Sequence, residues 1–238
     1  MLTRADGATG RNFLTPEIAE FAKRRIAHST DLVEPFRLLH NMLSSQPMCF
    51  NLFAPLALDH DRAARLLGAL FPGEGRRVLN VEIEYAPARR YLGDGTSFDA
   101  FVDFERIDGT RTFLAIETKL TDRLSPYVYD RPTYRATMAR ARHVWREGAG
   151  IDARVADARH NQLWRNHLLL ALALSDDPES PFAACMSVVV RHPLDEEGAE
   201  AVAGYRSLLR DVDPHLPGTE RPRVPGWRVT GFGIGSVV

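Results

Sequence analysis

Between Val78 and Leu120 the chain runs through three segments in which apolar residues recur at every second position, each ended by residues that turn a backbone. In the first, Val81, Ile83 and Tyr85 alternate with Asn80, Glu82 and Glu84, and Pro87 ends the run. This period belongs to a strand with one face buried. A turn-forming stretch, Tyr91-Leu-Gly-Asp-Gly-Thr-Ser97, leads to a second segment over 98–107, where Ala100, Val102 and Phe104 oppose Asp99, Phe101 and Asp103. Asp108-Gly109 closes a hairpin. Residues 111–120 return with Leu114 and Ile116 on one side and Ala115, Glu117 and Lys119 on the other, which completes a three-stranded meander.

Helical patterns surround this meander. Thr15-Pro16-Glu17 is a cap with proline in the first turn, and Ile18, Phe21 and Ala22 supply an apolar stripe. A second helical piece is expected over 31–43, and a long helix or two joined pieces over 51–71, stopped by Pro72-Gly73. Residues 134–145 and 155–174 read as helices, 182–190 as a buried strand, 196–209 as a helix, 214–225 as a proline-rich loop and 227–234 as an edge strand. Residues 1–10 lack periodicity and are expected to form a mobile end. With 238 residues the chain is long enough for one well-buried core and too short to make two full-sized domains the default.

Glu117 and Lys119 lie two apart on one strand, so both side chains leave the same face of the sheet. A hairpin turning at Asp108-Gly109 brings Asp99 beside them. Two close carboxylates repel unless a cation sits between them, and hard oxygen ligands suit Mg²⁺ or Mn²⁺. A metal held there could bind a phosphate oxygen and support phosphodiester hydrolysis. Lysine occurs only at 23 and 119, so 28 of the 30 basic residues are arginine. A lysine that survives such a bias marks a place that needs a compact amine, one able to approach neutrality or to fit a tight space.

The order of elements and the motif resemble the PD-(D/E)XK phosphodiesterase superfamily. Asp99, within Ser97-Phe98-Asp99-Ala100-Phe101, matches the first acid, and Glu117-Thr118-Lys119 matches the acid-any-lysine triplet, with Phe98 in place of the motif's proline. The resemblance spans about residues 50–192 and implies an α/β, restriction-endonuclease-like core in the order αβββαβ. That core is a mixed central sheet of about four to five strands flanked by helices, with extra N-terminal helices. It divides the chain into an N-terminal helical extension, 1–49, and a nuclease-like domain, 50–238. By resemblance Asp99 and Glu117 hold the metal, Thr118 offers its backbone carbonyl, and Lys119 positions or activates the attacking water. Glu84 and Gln162 occupy the places of an additional upstream acid and a later glutamine. The function implied is a metal-dependent endonuclease acting on DNA, restriction-like or repair-like, for which a two-fold homodimer is reasonable.

Other readings stay open. A net charge of -1 gives no global pull toward polyanions, so nucleic-acid contact needs a local basic face, for which Arg89, Arg90, Arg135, Arg140 and Arg142 are candidates. The same fold could serve as a binding or assembly module with little or no catalysis, or as a nuclease acting on RNA or on nucleotides. Glu117 and Lys119 could be an ordinary solvated pair, and Gln162 a helix-surface residue. Trp164 reads as core, and His160 and His167, two helical turns apart, can share one helix face without ligating a metal. Cys49 and Cys185 sit in apolar surroundings without metal-type spacing and are expected to be free thiols. No apolar run approaches the roughly 20 residues of a membrane span, and no signal-type segment opens the chain, so a cytoplasmic location and no membrane partner are expected.

Overall fold

A computed structural model describes residues 1–28, 33–71, 75–87, 91–175, 180–210 and 228–234. Helices α1 (Arg4–Ala8), α2 (Pro16–His28), α3 (Pro35–His40), α4 (Ser45–Leu58) and α5 (His60–Leu70) precede the meander β1 (Gly75–Tyr85), β2 (Phe98–Arg106) and β3 (Arg111–Lys119). After it come α6 (Pro132–Arg140), a short 3-10 turn, α7 (Ile151–Ala156), α8 (Asn161–Ser175), β4 (Ala184–Arg191), α9 (Glu196–Arg206) and β5 (Arg228–Ile234). The strands form one mixed sheet in sequence order, antiparallel through β1-β2-β3, parallel from β3 to β4, and antiparallel again to β5. The β2-β3 turn lies where Asp108-Gly109 places it. Gly109 adopts a φ of +83°, and the Asp108 carboxylate accepts the Thr110 N–H at 2.9 Å. The parallel step needs a long crossover, which α6 to α8 supply.

Alternation sends the two sides of the strands into two apolar layers. Val81, Ile83, Ala100, Val102, Leu114, Ile116 and Val188 pack under α2, α4 and α5. Phe101, Phe113, Ala115 and Val189 pack under α6 to α9, against Tyr134, Trp164 and Tyr205. Because both faces are covered, β4 is buried along its whole length, which accounts for its unbroken apolar run. Cys49 and Cys185 are free and buried, as expected. Trp164 is core. Among the described residues no helix is long and apolar enough to cross a membrane.

Three elements differ from the expectation. Residues 1–10 are not a mobile end: Thr3 caps α1 by accepting the Asp6 N–H, Leu2 N–H donates to the His40 carbonyl, and buried Gly7 lies against the His40 ring with no room for a Cβ. The helical piece expected over 31–43 is described only from 33, where α3 starts behind its cap, Glu34. The helix expected over 155–174 is two helices, because the Asp157 carboxylate accepts the Arg159 N–H in a local turn and α8 restarts at Asn161. The boundary expected between 49 and 50 falls inside α4, whose Cys49, Phe50 and Phe53 share the sheet layer with Ile18 and Ala22 of α2. The loop expected over 214–225 lies outside the described residues.

The His160 and His167 rings both lie against Tyr205, at 5.9 and 5.1 Å between centroids, as their two-turn spacing implies. His167 is fully buried, and burial pushes its pKa from 6.5 down to about 4. The folded state therefore refuses a proton that the unfolded chain accepts, and stability is lost as pH falls from the unfolded value toward the folded one. Relative to a His167→Leu variant, the wild type should lose about 3 kcal/mol of unfolding free energy between neutral pH and about pH 4. Denaturant titrations across that range check this, and parallel pH curves for the two proteins would contradict it.

Candidate active site

The β2-β3 ladder runs from Glu105 opposite Arg111 to Ala100 opposite Ile116 and ends there. The next residues, Asp99 and Glu117, face each other on the α8 side of the sheet, just where the strands part. β3 itself stays paired with β4 as far as Lys119 opposite Arg191, so β2 peels away from a strand held firmly on its other edge. The backbone groups released by this parting find partners in side chains. Thr118 donates its N–H and its hydroxyl to Asp99 Oδ2, both at 2.7 Å, while the Asp99 carbonyl accepts the Cys49 thiol at 3.2 Å. A strand residue directs its N–H and C=O to the same edge. The Thr118 carbonyl is thereby aimed into the notch that β2 vacates.

Glu117, Thr118 and Lys119 are buried, and Asp99 is half-buried at the notch. Glu117 Oε1 accepts from Lys119 Nζ at 2.8 Å and from Gln162 Nε2 at 2.7 Å, and Oε2 accepts from Asn166 Nδ2 at 2.9 Å. Gln162 and Asn166 are one turn apart on α8, so both amides reach the same carboxylate. Glu84 approaches from β1. Its φ of +53° puts it in the left-handed region, a strained conformation for a residue with a side chain. Arg25 of α2 holds this bend by donating to the carbonyls of Ile83 at 3.0 Å and Glu84 at 2.7 Å. Gln46, in the first turn of α4, donates to Glu84 Oε1 at 2.9 Å.

Asp99, Glu117, Lys119, Glu84, Gln162 and Thr118, all singled out in the sequence, thus meet in one region. Sequence reasoning missed Asn166, Gln46, Arg25 and Cys49. Asn166 left a signal, since it follows Gln162 at helical spacing and shares its helix face; the other three act through helix packing and left none. Two of the candidate phosphate-binding arginines are committed elsewhere: Arg135 pairs with Asp130 and lies over Trp164, and Arg142 pairs with Asp152 at 3.5 Å. Arg89 and Arg90 lie outside the described residues.

The electrostatics are those of acids crowded into a poorly solvated place. Desolvation and the neighbouring Glu117 push Asp99 up to about 7, against the pull of Lys119 and the Thr118 hydrogen bonds. Desolvation and Asp99 push Glu84 up to about 8. Burial and the same acids raise the Cys49 thiol well above its ordinary value, so it stays a thiol. For Lys119, burial favours the neutral amine, yet Glu117 and Asp99 outweigh it and hold the pKa above the usual range. The amine does fit a tight space, but it remains an ammonium and does not approach neutrality, because the acids that surround it stabilise its charge.

Three acids that resist ionising side by side can all ionise if a cation offsets their repulsion, and their donors are hard oxygens, which fits a small divalent cation. Among the described residues no group of three or more His, Cys, Asp or Glu side chains is arranged as a metal shell. That is compatible with Mg²⁺, which takes one or two carboxylates and completes its octahedron with water and substrate phosphate.

A family model described as the PD-(D/E)XK nuclease superfamily matches residues 1–220. The chain belongs to this superfamily. No curated protein and no solved structure matches the chain. Membership agrees with the restriction-endonuclease-like arrangement of mixed sheet and flanking helices, and it assigns the chain to nuclease chemistry with nucleic acid as the substrate class. The match begins at residue 1, so it takes in α1 to α4 along with the meander.

Because the folded-state pKa of Asp99 and Glu84 lies above the unfolded value, both acids favour the folded state at low pH and lose that contribution as pH rises toward about 8. At about pH 9 without divalent cations, Asp99→Asn and Glu84→Gln should each stabilise the protein by about 1–2 kcal/mol. Mg²⁺ or Mn²⁺ should raise the melting temperature of the wild type and leave that of Asp99→Asn unchanged. Destabilisation by both amides, read by calorimetry, would contradict the crowding of like charges.

Proposed function

We propose that the protein is an Mg²⁺- or Mn²⁺-dependent endonuclease that hydrolyses phosphodiester bonds in DNA, in a restriction-like or repair-like role. The observation that carries this reading is the meeting of Asp99, Glu117 and Lys119 at the point where β2 and β3 part, with Lys119 bonded to Glu117 at 2.8 Å. Asp99, Glu117 and the Thr118 carbonyl would hold the cation, which when bound supplies Lewis acidity and positive charge to the phosphate. Lys119, bonded to Glu117, would donate hydrogen bonds that orient the attacking water and stabilise charge developing on the phosphoryl oxygens. A bond forms between the water oxygen and phosphorus as the bond from phosphorus to the leaving sugar oxygen breaks, and the products are a phosphomonoester and a hydroxyl.

Around these groups, Gln162 and Asn166 fix the plane of the Glu117 carboxylate and act as positioning residues. Glu84, tied by Gln46 and by the Arg25 clamp on its strand, stands at the notch edge and, once a bound cation favours its ionised form, supports that cation from outside its ligands.

One observation favours a second reading, in which the fold serves as a nucleic-acid-binding or assembly module with little catalysis. Both Glu117 oxygens already accept hydrogen bonds, from Lys119, Gln162 and Asn166, so a cation must share or displace these donors. Plasmid cleavage separates the two. With Mg²⁺ or Mn²⁺ the wild type should relax or linearise plasmid, while Asp99→Ala and Lys119→Ala lose at least about 100-fold in rate. Equal cutting by all three removes the site assignment, and tight binding without cutting by any selects the module.

A further inference from the structure

The segment that leaves β3 just after Lys119 carries two large aromatic rings into solvent. Tyr127 is 68% exposed and Tyr129 39% exposed, with Val128 between them also exposed. Such a display is costly on a loop that could turn inward, yet this backbone is pinned. Ser125 N–H donates to Gln162 Oε1 at 2.8 Å, and the other end of that amide donates to Glu117, so one glutamine ties the loop to the carboxylate of the site. Fully buried Asn161 grips Tyr129 at two points, accepting its N–H at 3.1 Å and donating to its carbonyl at 3.0 Å. The rings of Tyr127 and Tyr129 stand 6.4 Å apart, and the Arg165 guanidinium lies 4.6 Å over the Tyr129 ring. The tyrosines are held out by construction.

The same loop borders a cleft that carries charged side chains. Arg123, Leu124 and Pro126 line this cleft of about 330 Å³ together with Lys119 and Arg159. Its two acids already have partners: Asp195 caps α9 through the Gly198 N–H at 2.9 Å, and Glu197 pairs with Arg123 at 3.1 Å, an exposed pair that a phosphate would have to open to reach Arg123. Among the described residues Arg159 forms no ion pair, and buried Arg191, paired with Lys119 in the sheet register, donates to the carbonyls of His192 and Asp195. The cleft therefore suits a phosphate, and Pro126 in its lining directly precedes Tyr127 in the chain.

We infer that the protein takes a single-stranded or locally unpaired segment of nucleic acid, with a backbone phosphate in the Lys119–Arg123–Arg159 cleft and an unstacked base on Tyr127 and Tyr129. The inference rests on the reading above for where nucleic acid lies. In a duplex each base is already stacked between its neighbours and offers no face to a side chain, whereas aromatic platforms beside a basic groove bind strands whose bases are free. A π-face carries no hydrogen-bond code, so recognition at this platform is tolerant of sequence.

The test uses the full chain without divalent cations and a short oligonucleotide carrying 2-aminopurine, whose fluorescence is quenched on stacking, as single-stranded DNA, single-stranded RNA and the DNA duplex. The wild type should bind a single strand with quenching and at least about tenfold more tightly than the duplex. Tyr127→Ala should lose about tenfold in single-strand affinity and the quenching signal, with duplex affinity unchanged, and Tyr127→Phe should retain both. A preference for the RNA strand over the DNA strand supports the platform and sets the sugar. Equal affinity for duplex and single strand without quenching overturns it, as does identical behaviour of Tyr127→Ala and the wild type. Cleavage with Mg²⁺ is scored separately: cutting without any dependence of binding on Tyr127 refutes the stacking alone, and stacking without cutting refutes the hydrolytic reading alone.

Discussion

The structure depends on where one hydrogen-bond ladder stops. β3 is paired with β4 to its last residue, but β2 leaves it after Ala100 and Ile116. Unpaired backbone groups at a half-buried strand end cost free energy unless they find partners. Here the partners are the site side chains: Asp99 takes the Thr118 N–H, and Cys49 reaches the Asp99 carbonyl. The geometry that brings the acids together is therefore the same geometry that completes the backbone, and neither can be altered without the other.

Each helical layer contributes to this seam. From the N-terminal layer, α2 and α4 send Arg25, Gln46 and Cys49 to the β1 and β2 side of the notch. From the crossover layer, α8 sends Gln162 and Asn166 to the β3 side. Apolar packing behind the helices aims these polar ends, and burial in turn gives each charge in the notch its weight, because low local dielectric strengthens both the repulsion among the acids and their hold on Lys119. The left-handed backbone at Glu84 is where this convergence is paid for, since Arg25 must clamp it in place.

Much of this was legible in the sequence because the signals are local. The two-residue period over β1 to β3 sets which side each residue faces, and the Asp108-Gly109 turn sets the register that brings Asp99 and Glu117 together just past the last paired residues. Gln162 was legible through family resemblance and not through its own neighbours. Gln46, Arg25 and Cys49 were not legible, because their roles arise when helices far away in the chain dock on the sheet, and nothing beside them in sequence marks that event. The docking of α1 was hidden for the same reason: Gly7 meets His40 only in the folded chain. The charge state of Lys119 was not legible, because a sequence reading weighs burial without knowing how close the acids stand.

The central claim is that the parting of β2 from β3 makes a cation site from Asp99, Glu117 and the Thr118 carbonyl. Anomalous scattering from a crystal soaked in Mn²⁺ tests it most directly. The account predicts a peak within about 2.5 Å of a carboxylate oxygen of each acid, beside the Lys119 ammonium. Manganese bound elsewhere, or a map in which Asp99 and Glu117 point to opposite sides of the sheet, would contradict it.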